Sequence, residues 1–182
     1  MSKMQPTKDK KKKSFTTHRI VMAGMLGAIC VVLGVTGLGM IPIPNLTGRA
    51  TILHVPVIIA GILEGPLVGG LTGLIFGIYS FLTPTGAIPA DPVVRILPRV
   101  LLGIVAAYSY KLCGRHHQLG AAIAGILGSA TNTVGFVGLA VVMGYLPAAT
   151  FIVVAPQALV ELALATVLTV MLVRVIGRAQ PY

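Results

Sequence analysis

Ile20-Val-Met-Ala-Gly-Met-Leu-Gly-Ala-Ile-Cys-Val-Val-Leu-Gly-Val-Thr-Gly-Leu-Gly-Met40 carries no charged side chain over about 21 residues. At a helical rise of about 1.5 Å per residue, that is enough to cross the ~30 Å hydrocarbon layer of a bilayer. A basic run precedes it, as in a signal peptide, but the segment is too long for such an apolar region and no clear A-x-A site follows. It reads as a retained first membrane helix. The rest of the chain agrees: of 182 residues, 55% are apolar and 10% charged, where soluble domains carry about 25% charged residues. Mean hydropathy is +0.93. These values exclude an ordinary soluble domain and a disordered chain. The net charge of +10 does not point to nucleic acid. Half of the 14 basic residues sit in the N-terminal tail, at Lys3, Lys8, Lys10, Lys11, Lys12, Lys13 and Arg19.

After the first span, Pro42, Pro44 and Gly48 break the helix. Apolar segments follow at Thr51–Leu63, Leu67–Leu82, Pro92–Leu112, Leu119–Leu146 and Ala148–Ile176. The second and third are short for a full crossing. The fold class expected is all-α, a bundle of six transmembrane helices. It divides into a basic tail over 1–19, one membrane domain over 20–176 and a short tail over 177–182. Lys and Arg favour the cytoplasmic side of membrane proteins. With both termini cytoplasmic, the N-terminal charges and Lys111, Arg115, Arg174 and Arg178 all fall inside, leaving Arg49 in an outer loop.

Two kinds of feature stand out inside the spans. The first is small residues at helical spacing, which let backbones approach where lipid gives no hydrophobic drive. Ala23/Gly27 and Gly24/Ala28 on the first span form a candidate face for docking a partner helix. Gly69/Gly73/Gly77 and the run around Gly125 and Gly128 read as internal packing. The second is polar side chains at membrane depth, which are costly and mark functional sites by default. His54, Tyr79, Arg95, Arg99, Asn132, Gln157 and Glu161 fall in the middle or outer half of their spans, which suggests a pocket and not a proton wire. Asp91, Arg95 and Arg99 share a helix face. Arg95 is the better placed to meet a ligand anion, because a guanidinium fork suits a carboxylate. Arg99 is expected to pair with Glu161, or to satisfy carbonyls freed by Pro98.

There is no G-x-x-x-x-G-K-[ST], H-E-x-x-H or G-x-S-x-G motif, so no P-loop ATPase, zincin or nucleophile-elbow chemistry is expected. Cys30 and Cys113 have no metal-ligand spacing. The chain reads as a binding protein and not an enzyme, with no metal or cofactor of its own.

The order of these features resembles the substrate-binding S components of energy-coupling factor (ECF) vitamin transporters. It is carried by the small-residue face of the first helix, by Arg49-Ala-Thr-Ile-Leu-His-Val-Pro-Val-Ile-Ile-Ala-Gly-Ile-Leu-Glu-Gly-Pro66, by the glycine-rich Gly69–Ser80 and by Asp91-Pro-Val-Val-Arg-Ile-Leu-Pro-Arg99. The resemblance implies a bacterial membrane subunit that binds a vitamin near the outer face, under the loop joining the first two helices. That places Asn45 and Arg49 over the pocket. It also implies docking through the first helix on a transmembrane coupling subunit driven by two ATPase subunits, which use the ATP. The chain lacks Trp, whereas thiamine and riboflavin carriers have aromatic-rich pockets. It also lacks the N-terminal histidine motif of the cobalt and nickel branch. It is most similar to the pantothenate-type group; folate, lipoate, cobalamin and a pyrimidine stay open. A membrane scaffold and a passive channel are the rival functions.

Overall fold

In the computed structural model, residues 17–42, 49–84, 89–114 and 116–179 are described. Among these residues six helices are present: α1 (Thr17–Val35), α2 (Val55–Glu64), α3 (Pro66–Leu82), α4 (Pro92–Leu112), α5 (His117–Val142) and α6 (Thr150–Ala179). Between α1 and α2 lies a short antiparallel hairpin of β1 (Met40–Pro42) and β2 (Arg49–Thr51), in the register Met40↔Thr51. Sequence alone treated this stretch only as a helix break. Extended residues flanking a turn can instead pair their backbones with each other.

Four helices, α1, α4, α5 and α6, are long and apolar enough to cross a membrane. The two short ones have different roles. In α2, Val55 to Ile62 are all buried, so it is apolar on every side and forms the centre of the bundle. Its Ile58 packs where a side chain on Gly128 of α5 would go. Gly65, at φ +93, makes the sharp turn from α2 into α3, and Pro66 opens α3 where a missing N–H costs nothing.

The glycine stripe of α3 is an internal seam. A Cβ on Gly69 would strike the carbonyl of Gly103, and one on Gly73 would strike the carbonyl of Arg99. Helices α3 and α4 therefore touch backbone to backbone, as small-residue interfaces allow. The same contact fixes the backbone of Arg99.

Contacts at the two ends show the alternation of the helices. At one end His18 and Arg19 of α1 reach Glu64 at 3.5 and 3.9 Å, and Lys111 lies near Gly65. Residues 17–19, assigned above to the tail, are thus part of α1. At the other end Asp91, before α4, accepts from the Tyr145 hydroxyl, after α5, at 2.9 Å. Asp91 also caps α4, accepting from the backbone N–H groups of Val93 and Val94. The Tyr145 hydroxyl and the two amides hold its carboxyl below the ordinary aspartate range, and Asp91 in turn raises the Tyr145 phenol.

Candidate functional site

Three inner contacts relate the polar residues to one another. Ile58 packs against Gly128, so with α2 and α5 antiparallel His54, one turn before Ile58, and Asn132, one turn after Gly128, lie toward the same end of the bundle. Pro98 packs against Gly135, and this places Arg99 beside Phe136. His54 also lies within Coulombic reach of Arg99.

The local chemistry of α4 explains how Arg99 is held. Pro98 has no N–H, so the carbonyl of Val94, four residues earlier, loses its helical donor. Arg99 fills the gap: its Nη1 donates to Val94 O at 3.1 Å. The guanidinium lies over the Phe136 ring at 4.4 Å from the centroid, with Phe76 at 5.7 Å. Its Nε is buried with no acceptor among the described residues. The expected pairing with Glu161 is not formed. Glu161 instead accepts from the Thr51 backbone N–H at 2.8 Å and from Gln157 Nε2 at 3.0 Å. Those donors occupy the carboxylate on the hairpin side of α6.

Asp91 and Arg95, one turn apart on the same face, take different partners. Asp91 caps its own helix, while Arg95 donates from Nε to Pro89 O and from Nη1 to Ser80 O, each at 3.1 Å. Arg95 thereby ties the start of α4 to the end of α3. Both arginines are buried and both donate to backbone carbonyls, Arg99 to the one that Pro98 frees, and Arg99 meets no carboxylate among the described residues.

His54 is fully buried, and among the described residues neither ring nitrogen has a partner and the buried Asn132 Oδ1 has none either. The hydroxyls of Thr72 and Thr169 are the other buried side-chain atoms without a partner among the described residues. Leaving such a group unsatisfied costs about 1–3 kcal/mol, so an arrangement of this kind suits a polar guest. Arg99, His54 and Asn132 together present donors and acceptors to an anion that also carries hydrogen-bonding groups. The Tyr79 ring fills the space beside Gly34 of α1. Asn45 lies outside the described residues, and of Arg49 only the backbone is described.

Two apolar grooves are lined by none of these residues. One, of about 530 Å³, runs between α3 and α4 along Leu67, Leu71 and Ile104. The other, of about 300 Å³, runs between α5 and α6 along Val134, Val137 and Leu159. Phe136, Phe76 and Thr51 are site residues that sequence reasoning missed. Phe136 stands one turn from Asn132, a spacing that could have drawn attention to it. Thr51 acts mainly through its backbone, for which there is no sequence signal.

The four candidate docking residues divide between two faces. Ala23 and Gly27 are buried, with Ile75 of α3 where a Gly27 side chain would go. Gly24 has nothing within 4 Å of such a position, and Ala28 is exposed. Ala23 and Gly27 are therefore packing residues, because α3 already occupies their face.

The profile of the family described as "ECF transporter, substrate-specific component" matches residues 18–173. The chain belongs to the ECF transporter substrate-specific components. This S component is 36% identical to the pantothenic acid transporter PanT of Lactococcus lactis subsp. cremoris strain MG1363, over 47% of this chain and 53% of that one. It thus spans about half the length of the curated relative it matches. Its fold is similar to a solved S component of a bacterial ECF transporter, with a TM-score of 0.62 at 20% identity, covering 91% of this chain and 98% of that one.

Proposed function

We propose that this S component captures pantothenate from outside the cell and delivers it inward. The observation that carries this reading is Arg99, a guanidinium at membrane depth whose Nε has no acceptor and which meets no carboxylate among the described residues. Pantothenate brings the missing carboxylate, and its amide and hydroxyls match the unpaired His54 and Asn132. The name of the L. lactis relative supports the same substrate. The remaining candidates, Asn45, Arg49, Tyr79, Arg95, Gln157 and Glu161, are proposed to frame this pocket.

In this proposal the chain binds and moves its substrate without catalysing a reaction. Both termini face the cytoplasm of a bacterial cell, as the Lys/Arg asymmetry favours. The outward face of α1 at Gly24 and Ala28 meets a transmembrane coupling subunit, and two ATPase subunits supply the energy. Mass spectrometry of the small molecule that co-purifies with the chain tests the substrate. Pantothenate is the expected mass; a different vitamin recovered in stoichiometric amount overturns the assignment.

A further inference from the structure

The seam of α3 and α4 at Gly69 and Gly103 is flanked by the groove of about 530 Å³. Leu67, Leu71 and Leu74 line it from α3, Val100 and Ile104 from α4, and the buried Gly70 leaves the space between them unfilled. Leu67 and Leu74 are exposed. From one to the other the groove runs for about 10 Å along the helix, the direction in which the acyl chains of a bilayer lie.

Every lipid-facing surface is apolar, so a groove alone selects nothing. This one is distinguished by its end, which Pro66 and Tyr108 close. Lys111, one turn beyond Tyr108, holds its Nζ 5.9 Å from the centre of the Tyr108 ring and 3.9 Å from where a Gly65 side chain would begin, beside Pro66. The ammonium therefore stands at the mouth, against both helices that form the groove. It makes no ion pair among the described residues. The carboxylate of Glu64, next to Gly65, is taken by His18 and Arg19.

We infer that this groove binds an anionic phospholipid, with one acyl chain between α3 and α4 and the phosphate on Lys111. Basic side chains at the end of a cleft between membrane helices recognise lipid headgroups in this way, and the long stem of lysine lets its charge reach the interface. A partner helix would fill the groove but leave the ammonium without an anion. A zwitterionic lipid carries its own cation beside the phosphate. With both termini cytoplasmic, as proposed above, the lipid belongs to the inner leaflet; the contact itself depends neither on that orientation nor on the substrate.

The test is native mass spectrometry of the full chain in detergent, titrated with phosphatidylglycerol or with phosphatidylcholine of the same acyl chains. It compares wild type, Lys111→Gln, Lys111→Arg and Gly70→Leu. For the first lipid bound, wild type should prefer phosphatidylglycerol by about fivefold, which corresponds to about 1 kcal/mol for one lysine at the membrane surface. Lys111→Gln should lose that preference while binding phosphatidylcholine as wild type does, and Lys111→Arg should keep it. A Cβ on Gly70 meets only side-chain atoms of Ile104 and Val100, none nearer than 3.5 Å. Gly70→Leu should therefore fold, occupy the groove and weaken both lipids at least fivefold. If it does not fold, the two Lys111 variants carry the comparison. Equal affinity of wild type for the two lipids overturns the site, as does an unchanged preference in Lys111→Gln. Undiminished lipid binding by Gly70→Leu with reduced vitamin uptake in cells also overturns it, because the groove would then seat a protein.

Discussion

Arg99 donates to the carbonyl of Val94 at 3.1 Å, the acceptor that Pro98 strips of its helical N–H. The proline and the arginine are thus one device: the first frees a carbonyl, and the second is aimed by it. Pro98→Ala restores the helical donor and releases the guanidinium from its fixed direction. We expect pantothenate affinity to fall roughly three- to tenfold, with no parallel loss of melting temperature, because helix propensity improves. Titration beside thermal melting of the same variant checks this; equal loss of both would make Pro98 a packing residue only.

The Phe136 face opposite Arg99 gives the cation a partner that leaves its N–H fork available. A cation–π contact is worth about 0.5–1 kcal/mol at an exposed site and about 2 kcal/mol when desolvated. Phe136→Leu keeps the volume apolar and removes that term. Affinity should drop by a few-fold to about thirtyfold, as 1.4 kcal/mol is a factor of ten. Affinity equal to wild type would show that the ring is not needed to hold Arg99.

The two faces of α1 make opposite predictions. Gly27→Leu must displace Ile75, so folded yield and binding should both fall. Gly24→Leu enters open space, so binding by the purified chain should survive while vitamin uptake in cells declines. Normal uptake by Gly24→Leu would remove this face as the docking surface.

Acid should loosen the end of the bundle that holds Asp91 and Tyr145. The Asp91 carboxyl is held below the usual 3.8 by Tyr145 and the Val94 and Val93 amides. A depressed folded pKa contributes stability that is present above the unfolded pKa and lost as pH falls through the folded one. The melting temperature of Asp91→Ala should therefore lie below wild type at pH 7, and the gap should close below about pH 4. A gap independent of pH would mean that the cap works without its charge.

Hydropathy made the four long helices and the start of α4 at Pro92 legible, because lipid demands long apolar runs whatever their tertiary partners. That His54, Arg99 and Asn132 are candidates was legible for a similar reason: polar groups at that depth are rare. Of the arginines' partners, only the Val94 carbonyl that Pro98 frees for Arg99 was legible. Asp91, Arg95 and Arg99 share a face by spacing, yet the carbonyls of Pro89 and Ser80 take the Arg95 donors, and those carbonyls carry no sequence signature. The hairpin and the Thr51 bond to Glu161 were hidden in the same way. The split of α1 into an inner and an outer face depends on where α3 lies, which helical spacing cannot tell.

The most direct test compares pantothenate with pantothenol, in which the carboxylate is replaced by a hydroxymethyl group, by calorimetric titration of the purified wild-type chain and of Arg99→Met. A charge-assisted bond in a dry site is worth about 1.5–3 kcal/mol. Wild type should therefore prefer pantothenate by roughly tenfold to a hundredfold, and Arg99→Met should lose that preference while remaining folded. Equal affinity of wild type for the two compounds would contradict Arg99 as the seat of the substrate's carboxylate.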